Sequence, residues 1–278
     1  MRNIQFTLKE AEHQLTKITA TPALDAELLL ASVLQCSRTI LHTWPEREMS
    51  DDDYQTFLAI CAKRLAGIPV AYLLEQQSFW KFDLRVTPDV LIPRPETELL
   101  VELVLETFAD IEPLSLIDLG TGSGAIALAL AYEFPTWKIS ATDNSPAALA
   151  IAQENAQRLE ISSVQWIASD WYANLNEQKF NAIVSNPPYI APGDHHLPAL
   201  QYEPQSALVA EQEGLAALQE IITHAPEHLL ENGYLFLEHG YQQAEAVQEL
   251  MGKAGFKDIQ TYVDLAGQPR VTSGVYIV

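Results

Sequence analysis

The tetrapeptide Asn186-Pro187-Pro188-Tyr189 places two hydrogen-bond acceptors and a flat aromatic side chain within four residues. The Asn186 side-chain carbonyl and the Pro187 backbone carbonyl can each accept one N–H of a planar amide or exocyclic amine, with Tyr189 as a wall against it. Both prolines lack an N–H and fix φ, so the turn is stiff. A weak nitrogen nucleophile held by its two hydrogens presents its lone pair to an electrophile, which is catalysis by orientation. Taken alone, the same four residues also make an ordinary strand-exit turn, because Asn and Pro are common turn formers.

A second constellation is Asp118-Leu119-Gly120-Thr121-Gly122-Ser123-Gly124, between an apolar strand pattern and an apolar helix pattern. No Gly-Lys-Ser/Thr follows, so it is not a phosphate-cradling P-loop, and its alternating glycines depart from Gly-x-Gly-x-x-Gly. It suits a ligand lying flat across the turn with no pyrophosphate to hold. Asp143, 23 residues past Gly120, ends the next predicted strand and can accept both hydroxyls of a ribose. Asp170-Trp171 offers an acceptor for an adenine amine and an aromatic face for its ring. Two plainer readings stand beside these: Asp143-Asn144-Ser145-Pro146 as a helix N-cap and Trp171 as core packing. Adenosine without phosphates, carrying a cationic end, is S-adenosyl-L-methionine. Asp118 then either helps hold its ammonium group or serves as a structural carboxylate.

The elements that must position these residues are legible from periodicity. Thr7 with Glu10 reads as a capping box before Leu8, Ala11, Leu15 and Ile18, and Thr21-Pro22 opens a helix carrying Leu24, Leu28 and Leu29. A third helix begins at Ser50, starts with Asp51-Asp52-Asp53, ends with Lys63 and Arg64, and stops at Gly67. Those charges sit as the helix dipole prefers, so the acidic run is a helix start and not a metal site. Between Pro69 and Pro95, alternation at Phe82, Leu84 and Val86 predicts a short hairpin linker.

From Glu96 onward, strands are predicted over 114–119, 138–142, 164–168, 180–185, 234–238, 257–263 and 271–278. Helices are predicted over 96–108, 124–134, 146–159, 214–230 and 242–254. Such alternation gives an α/β fold, a mostly parallel sheet with helices on both faces. Asn186 then lies just past a strand's carboxyl end, where open sheets of this kind bind ligands. The expected organisation is a helical domain over 1–72, a hairpin linker over 73–95 and an α/β domain over 96–278.

Composition narrows the function. The 278 residues, 48% hydrophobic, can bury a substantial core, and the longest apolar stretch is far too short to cross a bilayer. Cys36 and Cys61 lack the spacing of a zinc site or a disulfide framework and read as thiols of a reducing compartment. Of the net charge of −21, residues 1–95 carry −2, from 10 Lys/Arg against 12 Asp/Glu. The rest, 6 against 25, carries −19. Six basic residues make a poor phosphate binder and exclude most nucleic-acid partners, whereas a cationic cofactor or a basic protein partner fits. Acidity for solubility alone accounts for the same numbers.

Together these residues resemble a known family. The set Ile92-Pro93-Arg94-Pro95-Glu96-Thr97-Glu98, the loop from Asp118 to Gly124, Asp143, Val184-Ser185-Asn186-Pro187-Pro188-Tyr189-Ile190, Glu203-Pro204 and Arg270 is similar to that of the HemK/PrmC family. Its members are glutamine-N5 methyltransferases of peptide chain release factors. The resemblance covers nearly the whole chain. It implies a class I S-adenosylmethionine-dependent methyltransferase domain, Rossmann-like with a seven-stranded, mostly parallel sheet, behind a small helical substrate-recognition domain and a hairpin. It implies that Gly120, Thr121, Gly122, Ser123, Gly124, Asp143, Trp171 and Asn186 contact the cofactor. Asn186, Pro187, Pro188 and Tyr189 would receive the glutamine of the release factor's Gly-Gly-Gln motif, with Asn186 and Pro187 catalytic.

A cytoplasmic monomer with no metal, no membrane contact and no direct nucleic-acid contact is expected. Two positions depart from the family's pattern: Tyr72-Leu73-Leu74 is followed by Glu75 where a glycine is usual, and Asn232-Gly233 replaces Gly-Gly. The alternative activity is adenine-N6 methylation of nucleic acid, where an exocyclic amine would meet the same acceptors; the scarcity of basic residues opposes it. A non-catalytic protein retaining the cofactor fold is the alternative of another class.

Overall fold

The computed structural model of the chain describes residues 3–111 and 113–277. The chain divides into two compact units, the first ending at Gln76 and the second beginning at Gln77.

The first unit is helical: α1 Ile4–Leu15, α2 Pro22–Val33, α3 Arg38–Thr43, α4 Asp51–Leu65 and α5 Val70–Leu74. Helix α1 starts earlier than the Thr7–Glu10 pattern predicts. Asn3 caps it by accepting from Phe6 N at 2.9 Å, and Thr7 turns inward with Ile4, Ala11 and Leu15. In α2 the buried stripe is Asp25, Ala26, Leu29 and Leu30, and Leu24 faces solvent. Arg64 of α4 explains the buried acid, donating to Asp25 at 2.8 Å. Helix α4 follows the sequence reading, with Ser50 Oγ accepting from Asp53 N at 3.1 Å. The short α3 and α5 give too few turns for periodicity to register. Glu75, where the family pattern has glycine, ends α5 in the left-handed region at φ +50°. Cys61 is buried in this unit, and burial pushes its thiol up to about 12.

The second unit opens with the hairpin β1 Gln77–Phe79 and β2 Phe82–Leu84. Its Phe79 and Leu84 join the core of the larger unit, and Trp80 N donates to Glu98 at 2.8 Å while its indole donates to Glu133 at 2.7 Å. Elements α6 Glu98–Phe108, β3 Ser115–Leu119, α7 Ala125–Glu133, β4 Lys138–Asp143, α8 Pro146–Arg158, β5 Val164–Ala168 and β6 Phe180–Ser185 follow. The chain continues through α9 Ala216–His228, β7 Leu229–Glu238, α10 Ala244–Lys253, β8 Phe256–Val263 and β9 Pro269–Tyr276. Val278, the end of the last predicted strand, lies outside the described residues.

The seven strands run in the order β5-β4-β3-β6-β7-β9-β8, parallel except for β9 against both neighbours. Successive side chains of a strand face opposite sides. Leu116, Ile139 and Val184 therefore pack with α6 and α7 on one face, and Ile117, Ile183 and Leu235 with α9 and α10 on the other. A segment before the first helix turn differs from expectation: Pro95–Thr97 is a 3-10 turn and α6 begins at Glu98. Strand β7 begins five residues before Tyr234. Leu229 pairs with Phe180, the chain bulges with Asn232 at φ +60°, and pairing resumes at Tyr234 opposite Ala182. Among the described residues, no helix is long and apolar enough to cross a membrane.

Candidate active site

Strand order reverses between β3 and β6, and a cavity opens at the carboxyl ends there, the expected ligand position of an open α/β sheet. Its floor is Gly120 to Ser123, leaving β3. Gly120, at φ +71°, also lies under the Trp171 ring: a Cβ built on it would stand 3.3 Å from Trp171 Cζ3. Trp171 itself takes φ +44° and is held by Ser169, whose hydroxyl donates to its carbonyl at 3.0 Å. So Trp171, with Asp170, lines the cavity and does not serve as core packing alone.

Asp143 reaches the cavity from β4. Its Oδ2 accepts from Gly122 N and its Oδ1 from Ser145 N, each at 2.9 Å. Ser145, not Asp143, caps α8, accepting from Ala148 N at 3.2 Å, which leaves the Asp143 carboxylate facing the ligand space. Burial raises its pKa, opposed by backbone hydrogen bonds from Ser145, Gly122 and Asn144. Asp118 is fully enclosed at the loop's root. Its Oδ2 accepts from Thr121 Oγ1 at 2.6 Å and Ala127 N at 3.3 Å, while Oδ1 has no partner among the described residues. Burial pushes this acid up to about 7.

From β6, Asn186 and Pro188 line the cavity. Asn186 Nδ2 donates to Thr97 Oγ1 at 3.1 Å, so Oδ1 is the end of the amide not taken by Thr97. Pro187 is buried in the turn, and neither it nor Tyr189 is among the lining residues. The Tyr189 ring packs against the apolar cluster under α9 and α10, and its hydroxyl donates to Glu238 at 3.3 Å. The opposite wall is Val90, Leu91, Pro93 and Thr97 beside Pro204, Ser206 and Ala207. Arg94 ties these two segments together through Glu203, whose other oxygen accepts from Ile92 N at 3.1 Å. That pair explains why Arg94 and Glu203 belong to one motif set despite their separation. No lysine or arginine lines the cavity among the described residues.

Four residues at this site escaped the sequence reading of roles. Thr97 was visible only as part of a motif, and Glu238 only as a strand end. Gln243 donates to the Tyr189 carbonyl at 3.0 Å, and nothing in its local pattern marks it. Gly214, predicted as a helix start, instead takes φ +85° with its α-carbon against that same carbonyl. His195 and His196 lie in an exposed loop, where Asp194 accepts from both the backbone and the ring of His196 at 2.8 Å.

Fold and site together define a class I methyltransferase domain that follows a helical unit. Residues 7–74 match the PrmC N-terminal domain family, and residues 96–202 match the Methyltransferase small domain family. The chain is 48% identical to the release factor glutamine methyltransferase of Coxiella burnetii, over 98% of each chain. It is 46% identical to that of Vibrio cholerae, over 98% of this chain and 96% of the relative. A likeness in fold links it to the T. thermophilus 16S rRNA N2 G1207 methyltransferase in complex with AdoMet and guanosine: TM-score 0.54, 20% identity, covering 72% of this chain and 49% of that one. The chain belongs to the release factor glutamine methyltransferase family.

The geometry makes two predictions. A Cβ at position 214 would stand 2.1 Å from Tyr189 O, so Gly214→Ala must displace the tetrapeptide turn. Turnover should fall by roughly 100-fold with the far-ultraviolet circular dichroism unchanged; wild-type turnover would show that the turn tolerates the shift. The second concerns pH. The Asp118 value of about 7 lies above its ordinary 3.8, so its contribution to stability is complete below the lower value and is lost as pH rises through the higher. The cofactor-free protein should melt at a lower temperature at about pH 8 than at about pH 5, and Asp118→Asn should narrow the gap. An unchanged gap in the variant would assign the effect to other acids.

Proposed function

We infer that the protein transfers a methyl group from S-adenosyl-L-methionine to the side-chain amide nitrogen, N5, of the glutamine in the Gly-Gly-Gln motif of peptide chain release factors, supporting translation termination. The observation that carries this reading is Asn186, which lines the cavity above the glycine loop with its Nδ2 engaged by Thr97, so that Oδ1 is the end left for a substrate amide.

The cavity's chemistry fits the cofactor. Asp143 and Asp170 supply acceptors, Trp171 an aromatic face, and the absence of basic lining residues suits adenosine without phosphate. Gly120, Thr121, Gly122, Ser123 and Gly124 would lie under it, with Asp143 toward the ribose and Asn186 near the reacting end. The buried, unpartnered Asp118 Oδ1 sits at the loop's root, and the −19 charge of this part of the chain favours a cation. When bound, S-adenosyl-L-methionine supplies an electrophilic sulfonium methyl group for in-line displacement.

The chain's task is to make an amide nitrogen attack. Its lone pair is delocalised into the carbonyl, so it is a weak nucleophile. Asn186 Oδ1 and the Pro187 carbonyl accept its two N–H groups, and both bonds strengthen as positive charge grows on nitrogen, favouring the transition state over the ground state. Pro188 lines the cavity beside them, and Tyr189, packed behind the turn with its hydroxyl on Glu238, would give the glutamine pocket its aromatic wall. The displaced proton passes to solvent. The helical unit recognises the release factor, and the enzyme acts as a cytoplasmic monomer.

The decisive experiment is methyl transfer from labelled S-adenosyl-L-methionine to a purified release factor, beside its Gly-Gly-Gln→Gly-Gly-Ala variant and duplex DNA. Label only on the unaltered factor is expected; label on DNA would install the adenine-N6 reading, and equal label on both factors another amine. Asn186→Ala should abolish turnover with cofactor affinity largely retained. Equal loss of both would remove the orienting role of Asn186.

A further inference from the structure

Glu238 ends β7 with its side chain enclosed, 1% exposed, and none of the roles above uses it. Its Oε1 accepts from the Tyr189 hydroxyl at 3.3 Å, the Thr97 side chain stands beside the same carboxyl group, and Oε2 has no hydrogen-bond partner among the described residues. Thr97 Oγ1 in turn accepts from Asn186 Nδ2 at 3.1 Å. Carboxylate, hydroxyl and amide thus stand in a row, and the amide is the group that meets the substrate.

The direction of that row is set by its first member. An ionised carboxylate can only accept. Thr97 must then give its one proton to Glu238, and the lone pairs it has left are met by the N–H of Asn186. The Asn186 amide is fixed one way round, Nδ2 on Thr97 and Oδ1 toward the substrate. A protonated acid, or an amide, at position 238 removes the constraint. It can donate to Thr97, which releases the Thr97 proton for Asn186 Oδ1 and turns the Asn186 NH2 toward the substrate, N–H against N–H.

We propose that Glu238, in its ionised form, is a positioning residue that acts through Thr97 and Tyr189 to hold Asn186 with its carbonyl toward the substrate amide. The inference rests on the glutamine reading of the site. The groups facing Glu238 come from three segments: Arg270 of β9 favours its charge, Glu96 of the 3-10 turn opposes it, Thr97 of the same turn stands beside it, and Tyr189 after β6 donates to it. Neighbouring His239 is kept neutral by burial, with Nε2 2.8 Å from Thr272 Oγ1. Burial outweighs the rest and pushes Glu238 up to about 7. The acceptor-only form therefore grows as pH rises through neutrality.

The test compares wild type, Glu238→Gln, Thr97→Val and Thr97→Ser for kcat, release-factor KM and cofactor Kd between about pH 6 and about pH 9. Glu238→Gln should lower kcat by roughly 10- to 100-fold, leave cofactor Kd within about 2-fold, and abolish the decline in kcat that is expected of wild type on the acid side of neutrality. Thr97→Val should lose as much, Thr97→Ser should recover most of it, and Glu238→Gln with Thr97→Val should be no worse than either alone. Wild-type kcat and pH profile in Glu238→Gln would overturn the proposal. So would parallel loss of cofactor binding and turnover in both Glu238→Gln and Thr97→Val, which would mark a fold element only. Failure of the wild type to label glutamine would instead overturn the reading of the site, and it is seen before any variant is made.

Discussion

The site depends on the parallel register of β3 against β6. Leu119 pairs with Ser185, and Ser185 Oγ donates to Leu119 O at 2.6 Å, so Gly120 and Asn186 leave the sheet side by side. Pairing of β6 with β7 sets Leu237 opposite Ser185 and brings Glu238 to the same edge. A slip of one residue in either ladder would send these side chains to the other face of the sheet. The slip is opposed by apolar burial on both faces, with Leu116 and Ile117 both fully enclosed.

Around that edge the acids outnumber the cations that could neutralise them. Arg94 is engaged by Glu203, and Arg270 donates to Asp264 at 3.2 Å. Asp118, Asp143 and Glu238 are left with hydrogen bonds from hydroxyls and backbone amides, and burial raises all three. For Asp118 and Asp143 a cationic ligand would offset the desolvation. Glu238 is different: beside it stand Tyr189 of the tetrapeptide turn and Thr97, which accepts from Asn186 Nδ2.

Where the sequence misled, a short-range signal had a stronger competitor. Thr7 and Glu10 match a capping box, yet Ile4 is wholly buried and Asn3 supplies a cap four residues earlier. Leu24 has the right spacing for a core stripe, but Asp25 takes that place because Arg64, 39 residues away, pairs with it. Gly214 looks like a helix start and serves instead as clearance for the Tyr189 carbonyl. The first half of β7 was hidden because Asn232 bulges out of the ladder before the apolar alternation resumes.

What the sequence determined by itself was the inventory and its order. The glycine loop after one strand, Asp143 after the next, Trp171 after a third and Asn186 after a fourth can be read from apolar periodicity and turn chemistry, because each signal is local. The acidic balance, which argues against a phosphate-rich partner, is also a property of composition. Only the tertiary structure decided that Asn186 Nδ2 meets Thr97, that Trp171 rests on Gly120, that Arg94 closes on Glu203 and that Glu238 stands behind Thr97. Each of these joins residues far apart in the chain, and contact across the sheet edge is created by strand pairing, which no local pattern encodes.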